Sequence, residues 1–391
     1  MFGLLYICGC IASLEPVQPH VIVIVIDTLR ADIVAEVDTP NLDSLSDKGQ
    51  RIQKAWAPST WTAASVISLF AGRSVMKHGW DHKMPKDMPK GQSYPPFTVE
   101  VTLAEELKKH GYQTIGLFAN RLLNRQIGFH RGFDVWRFIS DAQASDQIKK
   151  EVSRFHDEPL FVYLHLYGPH QPLRPSKKSK LKWGISDTDL SKHGGIGLKA
   201  LKDPSRAEVY RKAYRAVVED VDDNLGNIME SLSVLRGEKV IIITSDHGEM
   251  LGEHGQVGHD AFVYEPLTWV PLVTFGMRPL SEPFSLVNIP YEICHTLSIE
   301  CSFTKQTEPI HVQREGELAI LDDDWNKYMY RSCFSLKEDP DELHPKICSA
   351  KMQKMLLDLS EVQSDQPLSF PEKKEFSPQR LQQLRSLGYV E

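Results

Sequence analysis

The sequence predicts an α/β fold, a doubly wound and mostly parallel sheet sandwiched by helices, with a small antiparallel subdomain at its C-terminal end. Three observations predict it. Residues 21–26 (VIVIVI), 160–166 (LFVYLHL) and 240–243 (VIII) are continuous apolar runs without alternation, the mark of strands buried on both faces. Helical patterns lie between them, at 103–110 closed by Gly111 and at 207–235 closed by Gly237, where glycine takes the left-handed conformation that ends a helix. Past about residue 300 the character changes to short alternating stretches at 318–321 and 328–330, followed by the charged turn KEDPDE at 337–342.

Taken in chain order, residues 1–19 read as a leader. Residues 2–12 (FGLLYICGCIA) form an apolar run too short to span a bilayer but suited to a signal-peptide core. Cys10 follows a small residue, as in bacterial lipoprotein signals, so the expectation is export to the periplasm or cell surface with a lipid anchor at Cys10. Residues 20–300 read as the catalytic domain and 301–391 as the C-terminal subdomain. Residues 171–205 carry much Lys, Ser, Gly and Pro without a period and read as a long loop over the sheet edge. The cysteines beyond the leader are Cys294, Cys301, Cys333 and Cys348; none forms a CxxC pair, which argues against a zinc knuckle, and one or two disulfides are expected with their connectivity open.

Composition narrows the classes. Across 391 residues the chain is 41% hydrophobic, enough for a core, and its net charge of −7 with no long basic block argues against a nucleic-acid footprint. No stretch of 18 apolar residues exists, so no ordinary transmembrane helix is expected.

The chemistry follows from what stands where the strands end, because ligands of open α/β sheets bind outside the carboxyl ends. Asp27 ends the first run, His170 stands just past the second, and Asp246-His247 close the third. Carboxylates held at strand ends supply the oxygen ligands a hard cation needs. Residues 57–73 place a hydroxyl-bearing loop before an Ala/Ser/Leu helix closed by Gly72. Thr62 is expected at or near the start of that helix, where free N–H groups favour an anion, and a metal-bound hydroxyl there can act as a nucleophile.

The ordered set of motifs resembles the sulfatase family of the alkaline phosphatase superfamily. It comprises VIDTLRAD at 25–32, SVISLFAGR at 65–73 with His78-Gly79, GYQT at 111–114, GF at 128–129 with GFD at 132–134, and His165 through His170-Gln171-Pro172. TSDHGE at 244–249 follows with LGEHG at 251–255, Gly258-His259, Tyr264-Glu265 and Val270-Pro271-Leu272, and then the 337–342 turn and an LRSLGY ending at 384–389. The resemblance implies one divalent cation, Ca²⁺ or Mg²⁺ with Mn²⁺ or Zn²⁺ left open by the imidazole, held by Asp27, Asp246, His247 and the nucleophile Thr62. It implies catalytic contacts from His170 and His259, with His170 able to protonate the leaving alcohol, and substrate contacts from Arg73, Asn120 and Arg121. Arg30 and Asp32 match the motif as supporting residues.

The sequence departs from the family at chemically decisive places. The cysteine that true sulfatases oxidise to formylglycine is absent, and Thr62 stands in its register; Val66 replaces the arginine of that motif, and Thr28 the usual second aspartate. A plain threonine cannot release sulfate by the formylglycine elimination, whereas its alkoxide can attack phosphorus. The leading expectation is therefore a metal-dependent hydrolase of phosphate mono- or diesters working through Thr62. Two alternatives are sulfuric ester hydrolysis and a non-catalytic relative that binds a glycan or lipid head group. The substrate is expected to be a small-molecule, glycan or lipid ester.

Overall fold

The computed structural model describes residues 18–82, 94–155, 158–191, 194–259, 262–330 and 332–360; the leader with Cys10 and the 384–389 ending lie outside the described residues. The main sheet has seven strands in the order Gln50–Ile52, Leu272–Phe275, Lys239–Ser245, His20–Ile26, Leu160–Leu166, Gln113–Phe118 and Val135–Phe138. The last five of these run parallel, and only Leu272–Phe275 is antiparallel to its neighbours. The fold expectation is met.

The unbroken apolar run at 21–26 shows why a central strand needs no alternation. Val21, Val23 and Val25 belong to one core layer, with the helices Thr62–Ala71, Leu103–Lys109 and Ile289–Leu297. Ile22, Ile24 and Ile26 belong to the other, with the helices Pro40–Lys48, Ala144–Val152 and Pro204–Leu232. Each of these side chains is fully buried and contributes roughly 1.5–3 kcal/mol of transfer free energy. Thr102 caps Leu103–Lys109 by accepting from Glu105 N–H at 3.2 Å while the Glu105 carboxylate accepts from Thr102 N–H at 2.8 Å, a reciprocal cap that fixes the helix start.

The C-terminal change of character is a four-stranded antiparallel meander, Ile310–Arg314, Glu317–Leu321, Asn326–Met329 and Ser332–Ser335, followed by the helix Ala350–Ser360. Cys333 and Cys348 form a disulfide there, while Cys294 and Cys301 are free thiols. Residues 171–205 differ from the expected irregular loop. They contain a helix, Lys177–Trp183, capped by Ser176 at its start and by left-handed Gly184 at its end. Its lack of apolar period reflects a polar anchorage: Ser179 Oγ donates to Asp220 at 2.5 Å and Trp183 Nε1 to Glu219 at 3.1 Å on the long helix Pro204–Leu232. Among the described residues no helix is long and apolar enough to cross a membrane.

Candidate active site

Strand register builds the site. Ile26 is level with Ser245 on one side and with Leu166 on the other, so the residues that follow, Asp27 and Asp246, emerge side by side. Ser245 Oγ ties the two loops together: it donates to the carbonyls of Ile26 and His247, both at 2.6 Å, and accepts from Leu29 N–H at 2.9 Å. Thr28 sits at φ +59°, where a β-branched residue is strained. Its N–H reaches Asp246 Oδ1 at 3.1 Å, and Tyr214 O–H holds its carbonyl at 2.5 Å. The strain is thus tied to the placement of Asp246.

Asp27, Asp246 and His247 each offer one ligand atom, and these atoms lie within 4.8 Å of one another in a fully buried setting. Asp27 Oδ1 and Asp246 Oδ2 are buried with no hydrogen-bond partner. Burial, and then the facing Asp246 carboxylate, push Asp27 up to about 8, with His170 and Asn120 opposing; burial also raises Asp246. Two crowded carboxylates with unsatisfied oxygens fit a hard divalent cation, which would supply the missing positive charge. His247 Nδ1 lies 2.9 Å from its neighbour Gly248's carbonyl oxygen. The proton therefore sits on Nδ1, and Nε2 presents its lone pair to the site. Burial, reinforced by His259, holds this imidazole well below its usual range.

Thr62 opens the helix Thr62–Ala71 and is wholly buried. Its Oγ1 lies 3.2 Å from His247 Nε2, and its hydroxyl opposes the rise that burial imposes on the Asp246 carboxyl. Trp61, at the N-cap, gives no side-chain cap, so the first N–H groups of the helix receive no partner from it. Trp61 is stacked on Trp80 with ring centres 5.4 Å apart and lies under the Arg314 guanidinium at 4.4 Å. Arg314 comes from the C-terminal sheet, where Asp81 Oδ1 at 2.8 Å and Glu315 Oε1 at 2.9 Å hold it. That sheet also binds the loop before Trp61: Gln313 N–H donates to the Pro58 carbonyl at 3.1 Å, and Ser59 Oγ donates to the Gln313 carbonyl at 2.8 Å.

His170 and His259 stand together, ring centres 5.1 Å apart, with His259 4.7 Å from His247. They are oriented differently. His170 Nδ1 faces the Gln171 carbonyl at 2.7 Å, and burial pushes the ring down to about 4. His259 Nδ1 faces the buried Glu249 carboxylate at 3.0 Å. A carboxylate behind an imidazole stabilises its charged form; His259 has such a partner, whereas His170 Nδ1 faces a carbonyl oxygen.

Three expected substrate contacts fare differently. Asn120 Nδ2 donates to Asp27 Oδ2 at 2.6 Å and its Oδ1 accepts from Leu122 N–H at 2.9 Å, so it positions the Asp27 carboxylate. Arg121 lines a cleft that leads to His170. Arg73 does not reach the site. It follows Gly72 at the far end of the ten-residue helix that Thr62 begins, about 15 Å away at 1.5 Å per residue, and borders a separate hollow with Lys77 and Ser302. Adjacency to a motif in sequence placed it on the wrong end of a helix.

Two site residues escaped the sequence reading. His165 Nε2 lies 3.5 Å from Asp27 Oδ2 and 3.9 Å from Asp246 Oδ2. The buried hydroxyl of Tyr163 lies 3.0 Å from His165 Nδ1, and the other ring nitrogen, Nε2, faces both carboxylates. The signal was present as the one polar residue in LFVYLHL, two residues from Tyr163 and so on its face of the strand. Glu249 was visible in the TSDHGE motif, but only the fold brings it to His259.

A parallel sheet that delivers carboxylates and imidazoles to one edge, against a hydroxyl at a helix start, defines the hydrolase architecture of the alkaline phosphatase superfamily. Within it the chain belongs to the sulfatase family, whose signature matches residues 19–279. A sulfatase of Formosa agariphila is 24% identical over 326 residues, covering 66% of this chain and 64% of the relative; the chain thus spans just under two thirds of that protein's length. Among solved structures, Ps i-CgsB in complex with k-i-k-neocarrahexaose superposes with a TM-score of 0.68 at 18% identity, covering 95% of this chain and 98% of the other. The phosphonate monoester hydrolase of Agrobacterium radiobacter gives 0.65 at 17% identity, with 88% and 94% covered.

Proposed function

We propose that the chain hydrolyses phosphate mono- or diesters, with Thr62 as the nucleophile. The observation that carries the reading is the placement of Thr62 Oγ1 against His247 Nε2 and Asp246 at the start of a helix, in a chain with no cysteine in that segment to oxidise. Asp27, Asp246 and His247 would hold the cation. When bound, it lowers the pKa of a neighbouring hydroxyl and neutralises charge on the ester oxygens. Thr62 Oγ1, its proton having passed to bulk water, attacks phosphorus in line, the P–O bond to the alcohol breaks, and His259 Nε2 hands its proton to the departing oxygen while Glu249 holds Nδ1–H. The N–H groups at the head of the Thr62–Ala71 helix offset negative charge as it builds. Water then resolves the phosphothreonine.

Sulfuric ester hydrolysis is the second reading, supported by the Formosa relative, which is itself a sulfatase. Purified protein assayed on p-nitrophenyl phosphate, its bis-ester, a phenylphosphonate ester and p-nitrophenyl sulfate, with Mg²⁺, Ca²⁺, Mn²⁺ or Zn²⁺ and with EDTA, separates the two. Turnover of phosphorus esters alone, lost by at least about 10³-fold in Thr62→Ala and accompanied by a phosphothreonine at residue 62 in acid-quenched peptides, is expected. Turnover of the sulfate alone favours the second reading; metal binding without any turnover favours a binding protein. We also propose export, because the Cys333–Cys348 disulfide suits an oxidising compartment. Mass spectrometry of the native N-terminus tests both export and lipidation at Cys10.

A further inference from the structure

His165 stands near the end of the strand Leu160–Leu166, level with Val25 on the neighbouring strand, and is wholly buried. Its Nε2 is buried without a hydrogen-bond partner. That nitrogen faces Asp27 Oδ2 at 3.5 Å and Asp246 Oδ2 at 3.9 Å, both longer than the about 2.7–3.2 Å of an N–H···O bond. A buried ring nitrogen that closes no hydrogen bond costs stability. Here it is turned toward the two carboxylates that themselves keep oxygens unpaired, Asp27 Oδ1 and Asp246 Oδ2. The spacing is that of ligands on one ion rather than of donor and acceptor. Atoms bound about 2.0–2.2 Å from an ion, at angles of roughly 90–110°, stand about 2.8–3.6 Å from one another. His247 Nε2 lies 3.6 Å from Asp246 Oδ2 and 3.2 Å from Thr62 Oγ1, and the separations of His165 from the two carboxylates are of the same order.

The surroundings of the ring suit ligation. Tyr163 Oη lies 3.0 Å from His165 Nδ1 and can accept its proton, which leaves the Nε2 lone pair for a metal; an orienting partner on the far nitrogen is the usual company of a ligating histidine. Thr28 stands where the resemblance expects a second aspartate. Its Oγ1 donates to the Asp27 carbonyl at 2.7 Å, so it brings no charge to the site. We propose that His165 Nε2 is a further ligand of the cation held by Asp27, Asp246 and His247, and that this second imidazole selects a zinc-type transition ion over Ca²⁺ or Mg²⁺. Carboxylate oxygens alone suit the hard cations, whereas imidazole nitrogens suit Zn²⁺ and its first-row neighbours. Two carboxylates and two uncharged rings also balance the charge of a divalent ion. The inference rests on Asp27, Asp246 and His247 as cation ligands, and not on turnover.

The test is calorimetric titration of the full chain, stripped with EDTA and dialysed, with Zn²⁺ and with Ca²⁺. The parent should bind Zn²⁺ at least about 10³-fold tighter than Ca²⁺. His165→Gln should weaken Zn²⁺ by about 10²-fold and Ca²⁺ by less than about three-fold. Tyr163→Phe, which keeps the ring and removes its partner, should weaken Zn²⁺ by about 10-fold. An equal loss for both ions in His165→Gln would mark a purely structural role and overturn the proposal, as would a parent that prefers Ca²⁺. Pulsed EPR of the parent with less than one equivalent of Cu²⁺ counts bound imidazoles without any substitution. Two are expected, and a single one overturns the proposal even where His165→Gln fails to fold. A single imidazole together with an affinity that Asp246→Asn lowers would leave the cation site standing without His165. An affinity that Asp246→Asn leaves unchanged would remove the cation site itself, and this inference with it. Two imidazoles in a protein that turns over none of the esters would retire the hydrolase reading and leave the metal centre in place.

Discussion

Two clusters of buried charge in this molecule solve the same problem in opposite ways. Behind the C-terminal sheet, Lys327 is wholly buried with its Nζ 2.9 Å from Glu265 Oε1, 2.8 Å from Glu342 Oε1 and 3.3 Å from Thr268 Oγ1. Trp56 Nε1 and Thr268 Oγ1 also donate to Glu265, and Glu265 N–H donates to Glu342 Oε2 at 2.8 Å. The one cation offsets one carboxylate, and burial, reinforced by Glu265 and opposed by Lys327, pushes the other, Glu342, up to about 7, so the set comes close to charge balance near neutral pH. At the sheet's carboxyl edge, Asp27 and Asp246 face each other beside His165 and His247, whose rings burial holds below their usual range, and each carboxylate keeps an oxygen without a hydrogen-bond partner. A closed set of charges is a clamp; a set with negative charge left over is a receptor for a cation. The clamp also serves the receptor, since Gly248 N–H and Glu249 N–H donate to the carbonyls of Leu267 and Pro266, in the short helix that Glu265 begins.

The contrast can be broken or sharpened by substitution. The largest effect is expected at the clamp. Lys327→Met leaves two carboxylates facing each other without their cation and should destabilise the protein by about 3–5 kcal/mol in urea unfolding; a loss under 1 kcal/mol would mean that the clamp is not closed as described. At the receptor the sign reverses. Asp27→Asn removes half of a like-charge pair, so in EDTA the variant should be more stable than the parent by ~1–2 kcal/mol, while metal-dependent turnover falls by about 10²-fold or more. Destabilisation in EDTA would show that the Asp27 charge is already compensated by the protein.

His78 marks a third solution, an ionisable group kept neutral. Its Nε2 meets Ser68 Oγ at 2.9 Å and its Nδ1 accepts from Trp80 N–H at 3.0 Å, and burial pushes the ring down to about 3 from 6.5. The unfolded chain takes up a proton below pH 6.5 that the folded one refuses. This contribution to stability is therefore full above pH 6.5 and is lost as pH falls from 6.5 toward 3. Unfolding free energies measured from pH 6.5 to 5 should fall more steeply in the parent than in His78→Gln, by up to about 1.4 kcal/mol per pH unit. Parallel slopes would place a proton on the folded ring.

Much of this was legible in the chain itself. The β-branched runs at 21–26, 160–166 and 240–243 identify central strands because a strand covered on both faces has no solvent side to mark with polar residues. Asp27 and Asp246-His247 stand at the ends of those runs, and Thr62 falls at a helix start. These readings depend on local periodicity, on where a run stops, and on ordered motifs. What the chain did not disclose depends on direction and register. His165 is a site residue because its strand pairs Val25 in parallel, which sets its ring over Asp27. Arg73 is remote because ten helical residues carry the chain away from Thr62. Lys177–Trp183 went unread because its helix is held by caps and by polar bonds to a helix tens of residues later. The short strands at 310–335 gave no sign that Arg314 would lie on Trp61 beside Thr62. Sequence by itself determined which segments are strands and helices and which reactive groups stand at their ends, since backbone propensity and burial pattern act over a few residues. Only the tertiary structure decided which of those groups meet, because a contact between residues 200 positions apart is set by strand order and register, and side-chain direction follows from both.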